Sequence, residues 1–229
     1  MKVKQLIRDI ANIASSGSNP IEFKIEDSQI LFWCNEIRSM LISQAIQKRQ
    51  DISDIWIQTI NCLELMQVDG SECCDQTSGC YVLRSVNKIP RTVEINGDNT
   101  ILRVTTIKGN VIPKSNVFEY KYTKYTKYSK VSRRWYIKND YLYIENDAFL
   151  KYVNIDLLAE NPADLINYND CSNDACFTMD SDYPCSLKMA NDITNIVLKT
   201  KVYPFLTMVS DNKNDSSNES AIQPNTKNL

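Results

Sequence analysis

Asp51–Pro90, DISDIWIQTINCLELMQVDGSECCDQTSGCYVLRSVNKIP, is the stretch whose reading decides the fold. Trp56 to Val68 is dense in β-branched and aromatic residues, and Tyr81 to Val86 is a second short apolar run, so the segment reads as two strands. Asp69-Gly70 and Ser78-Gly79 between them are turn signals, because glycine takes positive φ without steric cost. Pro90 closes the unit, since it has no N–H to give to a sheet ladder.

Working outward toward the N-terminus, Lys4 to Ala14 sets Leu6, Ile7, Ile10, Ile13 and Ala14 on one face of an amphipathic helix. Ser15 to Pro20 is a breaker cluster that ends it. A longer helix is predicted from Ser28 to Arg49, with Ile30, Cys34, Ile37, Leu41 and Ala45 at steps of four and three. Asp27 or Ser28 is expected to cap its first amides, and Lys48 and Arg49 complement the dipole at its end. Trp33, Met40 and Ile46 fall outside the narrow stripe. Two readings stand: a central core helix, or a helix between its own domain and a partner.

Toward the C-terminus, Thr92–Ile95 and Ile101–Ile107 flank Asn96-Gly97-Asp98-Asn99 and read as a hairpin, because Asn-Gly favours the left-handed turn geometry. Lys108-Gly109-Asn110 is a further turn leading into Val111-Ile112-Pro113. Trp135–Lys138 and Tyr141–Glu145 form another hairpin about Asn139-Asp140, and Lys151–Leu157 is one more strand. Asn161–Tyr183 is polar, acidic and turn-rich, a long loop holding at most a short helix. Leu187, Ala190, Ile193 and Val197 keep helical spacing, so a third helix spans Ser186 to Tyr203, with Pro204 ending or kinking it. The final SDNKNDSSNESAIQPNTKNL cannot bury enough surface to offset its ordering entropy; it is a solvated tail or an arm that orders against a neighbour.

Helices, then antiparallel hairpins, then a helix is an α+β pattern. The expected layout is an N-terminal helical region (1–50), a β-rich region (51–160), an acidic loop (161–185), a C-terminal helix (186–209) and a tail or assembly arm (210–229).

At 229 residues with net charge −2, the chain can bury one substantial core, or one core plus a small lobe, and has no overall pull toward nucleic acid or anionic membrane. No apolar run approaches the roughly 20 residues needed to span a bilayer. The N-terminus lacks the continuous apolar region of a signal peptide, so folding in a cytoplasm is expected. There is no histidine, which excludes Ser-His-Asp and Cys-His catalysis within one chain and His-based metal sites.

The eight cysteines include two groups, Cys73, Cys74, Cys80 and Cys171, Cys176, Cys185. Neither holds the C-x2-C pair that chelates one ion from a tight turn, so zinc ranks below idle thiols and below a disulfide. Asp164, Asp170, Asp174, Asp180 and Asp182 scatter along one loop without EF-hand spacing, and a solvated acidic loop outranks calcium. No Walker, GxGxxG or GxSxG element is present, and we expect no cofactor and no metal.

The most unusual stretch is KYTKYTKYS, Lys121–Ser129. A period of three cannot hold Tyr122, Tyr125 and Tyr128 on one side of a flat strand. With Lys124, Lys127, Lys130, Arg133 and Arg134 it forms a basic, aromatic segment, while Asn139–Asp182 carries many carboxylates against Lys151 alone. An arm of one copy laid on the acidic loop of the next would attract, and such a head-to-tail contact can close into a ring. An intramolecular clasp between the same segments is the competing reading. Lysine interleaved with aromatics also suits single-stranded nucleic acid, so Lys121, Tyr122, Lys124, Tyr125, Lys127, Tyr128, Lys130, Arg133 and Arg134 are candidate subunit-interface or nucleic-acid contacts.

WIQTINCLEL (Trp56–Leu65), Cys73-Cys74, GCYVLRS (Gly79–Ser85) and Ile89-Pro90 together resemble the virion connector proteins of crAss-like podoviruses. The resemblance covers the chain from the first helix to about Lys201. It implies a non-enzymatic structural subunit of a ring, twelvefold, at the portal–tail junction of the virion. It further implies contacts with portal and other ring or tail proteins, and packaged DNA passing through the channel. A nucleic-acid-binding module using residues 121–138 is the alternative, and a carboxylate- or thiol-based enzyme ranks last.

Overall fold

A computed structural model describes residues 1–15, 25–69, 81–115, 133–145 and 149–205 of the chain. It has N-terminal helices, a large antiparallel sheet and a C-terminal helix, the α+β arrangement expected.

The organising unit forms β1 (Gln58–Asp69) and β2 (Tyr81–Ser85), paired antiparallel with Leu65 opposite Ser85 and Val68 opposite Val82. β1 changes partner along its length. Its first half pairs with β9 (Tyr152–Leu157), and the ladder slips between Ile60 and Leu63. Cys62 takes a positive φ of 54° in this bulge and donates its N–H to Asn154 Oδ1 at 3.0 Å.

The turn signals predict local geometry well. Asn96 and Gly97, both at positive φ, join β3 (Glu94–Ile95) to β4 (Asp98–Asn99). The hairpin is shorter than expected, however: β5 (Ile101–Thr106) does not pair with Thr92–Ile95 but joins the main sheet beside β9. Its side chains explain the transfer, since Ile101 and Val104 find a core there, whereas β3 and β4 expose most of their surface. Gly109 at φ 82° turns β5 into β6 (Val111–Ile112). Asn139 and Asp140, both left-handed, turn β7 (Arg134–Lys138) into β8 (Tyr141–Glu145).

The seven main strands run in the order β6-β5-β9-β1-β2-β8-β7. Just beyond β6, Lys114 bridges Trp135 of β7 in parallel; Ser115 N–H donates to the Trp135 carbonyl at 2.7 Å and Trp135 N–H to the Pro113 carbonyl at 3.0 Å. The two ends of the sheet therefore meet, and it closes on itself. Closure pairs edge groups that would otherwise be open to another chain.

Strand alternation turns Ile60, Leu63, Leu83, Val104, Leu142, Ile144, Val153 and Ile155 into one core. The helices extend that core: α1 (Val3–Ala14), α2 (Asp27–Gln47) and α3 (Leu187–Val197) bury Leu6, Ile10, Ile30, Ile37, Ile193 and Val197 in it. Ile13, expected on the buried face of α1, is exposed. A smaller cluster of Val68, Val82, Tyr136 and Tyr143 lies on the opposite face of β1, β2, β7 and β8, with the two tyrosine rings stacked at 5.4 Å.

Neither Asp27 nor Ser28 caps α2. Glu26 occupies the cap position with no side-chain hydrogen bond to the helix's backbone amides, although Ser28 Oγ donates to Glu26 Oε2 at 3.2 Å. The Asn161–Tyr183 segment holds one short 3-10 helix, Pro162–Asn167, capped by Asn161. α3 opens on Ser186, whose side chain accepts from Met189 N–H, and continues through a π-helical turn, Leu198–Val202. That wider turn precedes Pro204, which can neither donate an N–H nor tolerate a tight contact with the carbonyl four residues back.

Candidate assembly surfaces

The helices are locked to the sheet by a buried arginine. Arg38, 0% exposed in the middle of α2, donates from Nε to the Pro184 carbonyl (2.9 Å), from Nη1 to Ala159 (2.8 Å) and from Nη2 to Trp56 (3.1 Å). Those carbonyls come from the start of β1, the end of β9 and the approach to α3. Beside it, Tyr183 Oη donates to Asn35 Oδ1 (2.8 Å), Asn35 Nδ2 to Asn161 Oδ1 (2.7 Å) and Asn161 Nδ2 to Asp164 Oδ1 (2.7 Å). Burial pushes the Cys34 thiol up to about 12, with Cys185 nearby adding to the rise. Burial also raises Cys185, although Arg38 opposes the shift. Both are inert as nucleophiles at neutral pH. The junction is scaffolding for the surfaces around it.

With its inner side fixed, α2 turns a mixed face outward. Phe32 is 62% exposed and Met40 40% exposed, one turn either side of Glu36, whose carboxylate pairs with Lys201 at 2.9 Å. Trp33 is half-buried against Phe205, ring centroids 6.4 Å apart and edge-on. The core reading of α2 holds for its inner side, where Ile30, Cys34 and Ile37 are buried, while Phe32 and Met40 stay outside the core.

A second surface lies on the outer wall of the sheet. In register, Tyr152 sits opposite Glu64, Ile107 follows Thr106 whose partner is Val153, and Val86 N–H donates to the Glu64 carbonyl at 3.0 Å. Ile107, Tyr152, Glu64 and Val86 therefore form a row across four chain segments, and Ile107 is 55% exposed. Beside the row runs a groove of about 620 Å³ whose other wall is Asn167–Asn173. A disulfide between Cys62 and Cys171, Cα atoms 5.2 Å apart, ties that wall to the β1 bulge. For Cys171 the bridge overturns the expectation of an idle thiol, and Cys62 stood in neither of the cysteine groups. Cys34, Cys176 and Cys185 remain free thiols, and Cys73, Cys74 and Cys80 lie outside the described residues.

The acidic loop is divided among local partners. Asp180 pairs with Lys4 at 2.9 Å, which holds its carboxyl below the usual range, and Val3 N–H donates to the Ser181 carbonyl. Asp170 accepts from the N–H groups of Ser172 and Asp174. Among the described residues no three potential metal ligands converge.

Of the basic candidates, Lys121, Tyr122, Lys124, Tyr125, Lys127, Tyr128 and Lys130 lie outside the described residues. Arg133 and Arg134 lead into β7, with Arg134 opposite Glu145. The segment between Ser115 and Arg133 thus leaves and rejoins the sheet at its closing seam. Arg38 and Cys62 were not singled out from the sequence. The available signal for Arg38 was a polar pair, Asn35 and Arg38, interrupting the apolar positions of α2; for Cys62 there was none, because its partner is 109 residues away.

Among the described residues no helix is long and apolar enough to cross a membrane. The family model described as phage tail ring protein 2 matches residues 5–220. No curated protein matches the chain.

Proposed function

The chain belongs to the phage tail ring protein 2 family of crAss-like phages, and on that premise we propose that it is a connector subunit at the portal–tail junction. As a tail ring protein it has a structural role in the virion and assembles as an oligomer with other tail components. The finer reading is a twelvefold ring that adapts the portal to the tail, surrounds the DNA channel and performs no reaction. The family match, which spans both helical regions and the whole sheet, supports the ring role, and the stoichiometry and portal placement rest on the resemblance of residues 56–90 to connector subunits.

In this reading the β-rich region, residues 51–160, is the body of the subunit, and α2 with the C-terminal helix supplies a contact face through Phe32 and Met40. The Lys121–Arg134 segment supplies the basic half of a head-to-tail contact, and residues 210–229 act as an assembly arm. Electron microscopy of the purified chain, alone and mixed with a portal from the same phage, tests the assignment. Closed twelvefold rings seated on the portal are expected. Rings of another order would overturn the stoichiometry, and failure to engage the portal would overturn the placement. Charge reversal at Lys121, Lys124 and Lys127 is expected to abolish rings at physiological salt.

A further inference from the structure

The groove beside the Ile107–Tyr152–Glu64–Val86 row is open, rigid and one-signed. Among the described residues lining it, Glu64 and Asp170 are carboxylates, Asn87, Asn167, Asn169 and Asn173 are amides, and none is lysine or arginine. Tyr152 and Ile107 add exposed apolar surface along its lip. Its floor is a ladder of β1 and β9, and its far wall is tethered by the Cys62–Cys171 bridge, so the shape is held before anything binds. Pre-organisation of this kind lowers the ordering cost of association.

We infer that this groove receives residues 121–130 of the neighbouring ring subunit, which rests on the head-to-tail reading above. Three features of the molecule point to that occupant. The first is charge: Lys121, Lys124, Lys127 and Lys130 are the complement of Glu64 and Asp170. The second is chemistry, because Tyr122, Tyr125 and Tyr128 can lay a ring on Tyr152 or Ile107 and still offer a hydroxyl to the asparagine amides. The third is placement. Following the strand order round the closed sheet, the β6–β7 seam, where residues 116–132 leave and rejoin, lies across from the β9–β1 ladder that floors the groove. One copy can therefore give an arm on one side and accept one on the other, which a heterologous ring contact requires. A self-complementary contact would instead put both halves on one patch.

A fluorescent peptide of residues 116–132, titrated onto the full oxidised chain, tests the groove directly, with electron microscopy of the same samples read in parallel. The wild type is expected to bind the peptide, and Glu64→Lys to weaken binding at least tenfold while circular dichroism stays unchanged. A peptide carrying Glu in place of Lys121, Lys124 and Lys127 should fail on the wild type and recover on Glu64→Lys. Asn169→Lys, an exposed position on the far wall, is the second variant and should weaken binding in the same direction. Equal affinity for wild type and both variants, or no binding to the wild type, overturns the inference. Rings that form regardless of Glu64→Lys would remove the groove and keep the ring reading. Peptide capture sensitive to Glu64→Lys, without rings under any condition, would keep the groove and remove the ring reading.

Discussion

Arg38 Nη1 lies 2.8 Å from the carbonyl oxygen of Ala159, joining the middle of α2 to the end of β9 in a site closed to solvent. Among the described residues no carboxylate pairs with this guanidinium; its three bonds go to backbone carbonyls. Burial therefore lowers its pKa, though an arginine starts high enough to stay charged. Removing it would strand three buried acceptors on three different segments. Arg38→Ala is expected to cost about 3–5 kcal/mol in chemical denaturation. A loss below about 1 kcal/mol would mean the helical layer is held by apolar contact alone.

The Cys62–Cys171 bridge closes a loop of sequence separation 109. In the chain-entropy description such a loop is worth up to about 4–5 kcal/mol, with about 2–4 kcal/mol typical. Adding a phosphine reductant should lower the denaturation midpoint of the wild type and leave that of Cys171→Ser unmoved. Identical shifts in both would assign the effect to other cysteines.

α2 ends in a left-handed residue that is not glycine. Arg49 has φ 58°, and its N–H and that of Gln50 donate to the Ile46 and Ala45 carbonyls at 2.8 and 3.0 Å, a Schellman pattern. A side chain in this conformation costs roughly 1 kcal/mol. Arg49→Gly is thus expected to raise stability by about 0.5–1 kcal/mol, read as a higher melting temperature, even though it removes a cation from the end of the helix.

The Cys34 thiol, held near 12 in the fold, would ionise near its ordinary value of 9.0 in an unfolded chain. Stability from this group is complete below pH 9 and is lost as pH rises toward 12. Tyr168, pushed up to about 12 by burial and then by Asp164, acts in the same direction from 10.0 upward. The unfolding free energy should fall from about pH 9 toward about pH 12, and Cys34→Ala should flatten that decline. An unchanged slope in the variant would place the alkaline sensitivity elsewhere.

Phe32 is mostly exposed, Met40 is partly exposed and neither packs on the core, so both contribute little to the fold. Phe32→Ser with Met40→Ser should leave the denaturation midpoint within about 0.5 kcal/mol of wild type and impair assembly on the portal. A variant that assembles normally would remove α2 from the contact surfaces.

Local signals survive the passage from sequence to structure where the chemistry itself is local. Asn96-Gly97, Asn139-Asp140 and Lys108-Gly109 each turn the chain where read, because left-handed φ is a property of one or two residues. The helices follow from periodicity, and Ser186, read only as the start of the third helix, caps it. Pairing beyond the turn is different. Ile101–Thr106 looked like the partner of Thr92–Ile95, yet it lies against β9, since Ile101 and Val104 gain more by burial in the sheet than by a two-stranded hairpin. The basic segment was read from its composition, whereas the groove opposite the closing seam had no signature, being assembled from β5, β9, β1 and the 167–173 loop.

By itself the amino-acid sequence determined the class of the fold, the turns at Asn96-Gly97, Lys108-Gly109 and Asn139-Asp140, the split between basic and acidic stretches, and the exclusion of histidine chemistry, while Gly70, Ser78 and Gly79 lie outside the described residues. All of these depend on residue type and short-range spacing. Only the tertiary structure decided the strand order, the closure of β6 onto β7, the Cys62–Cys171 bridge and the burial of Arg38 under three carbonyls. Those depend on which distant segments share a core, and many arrangements of the same elements satisfy the local rules until packing selects one.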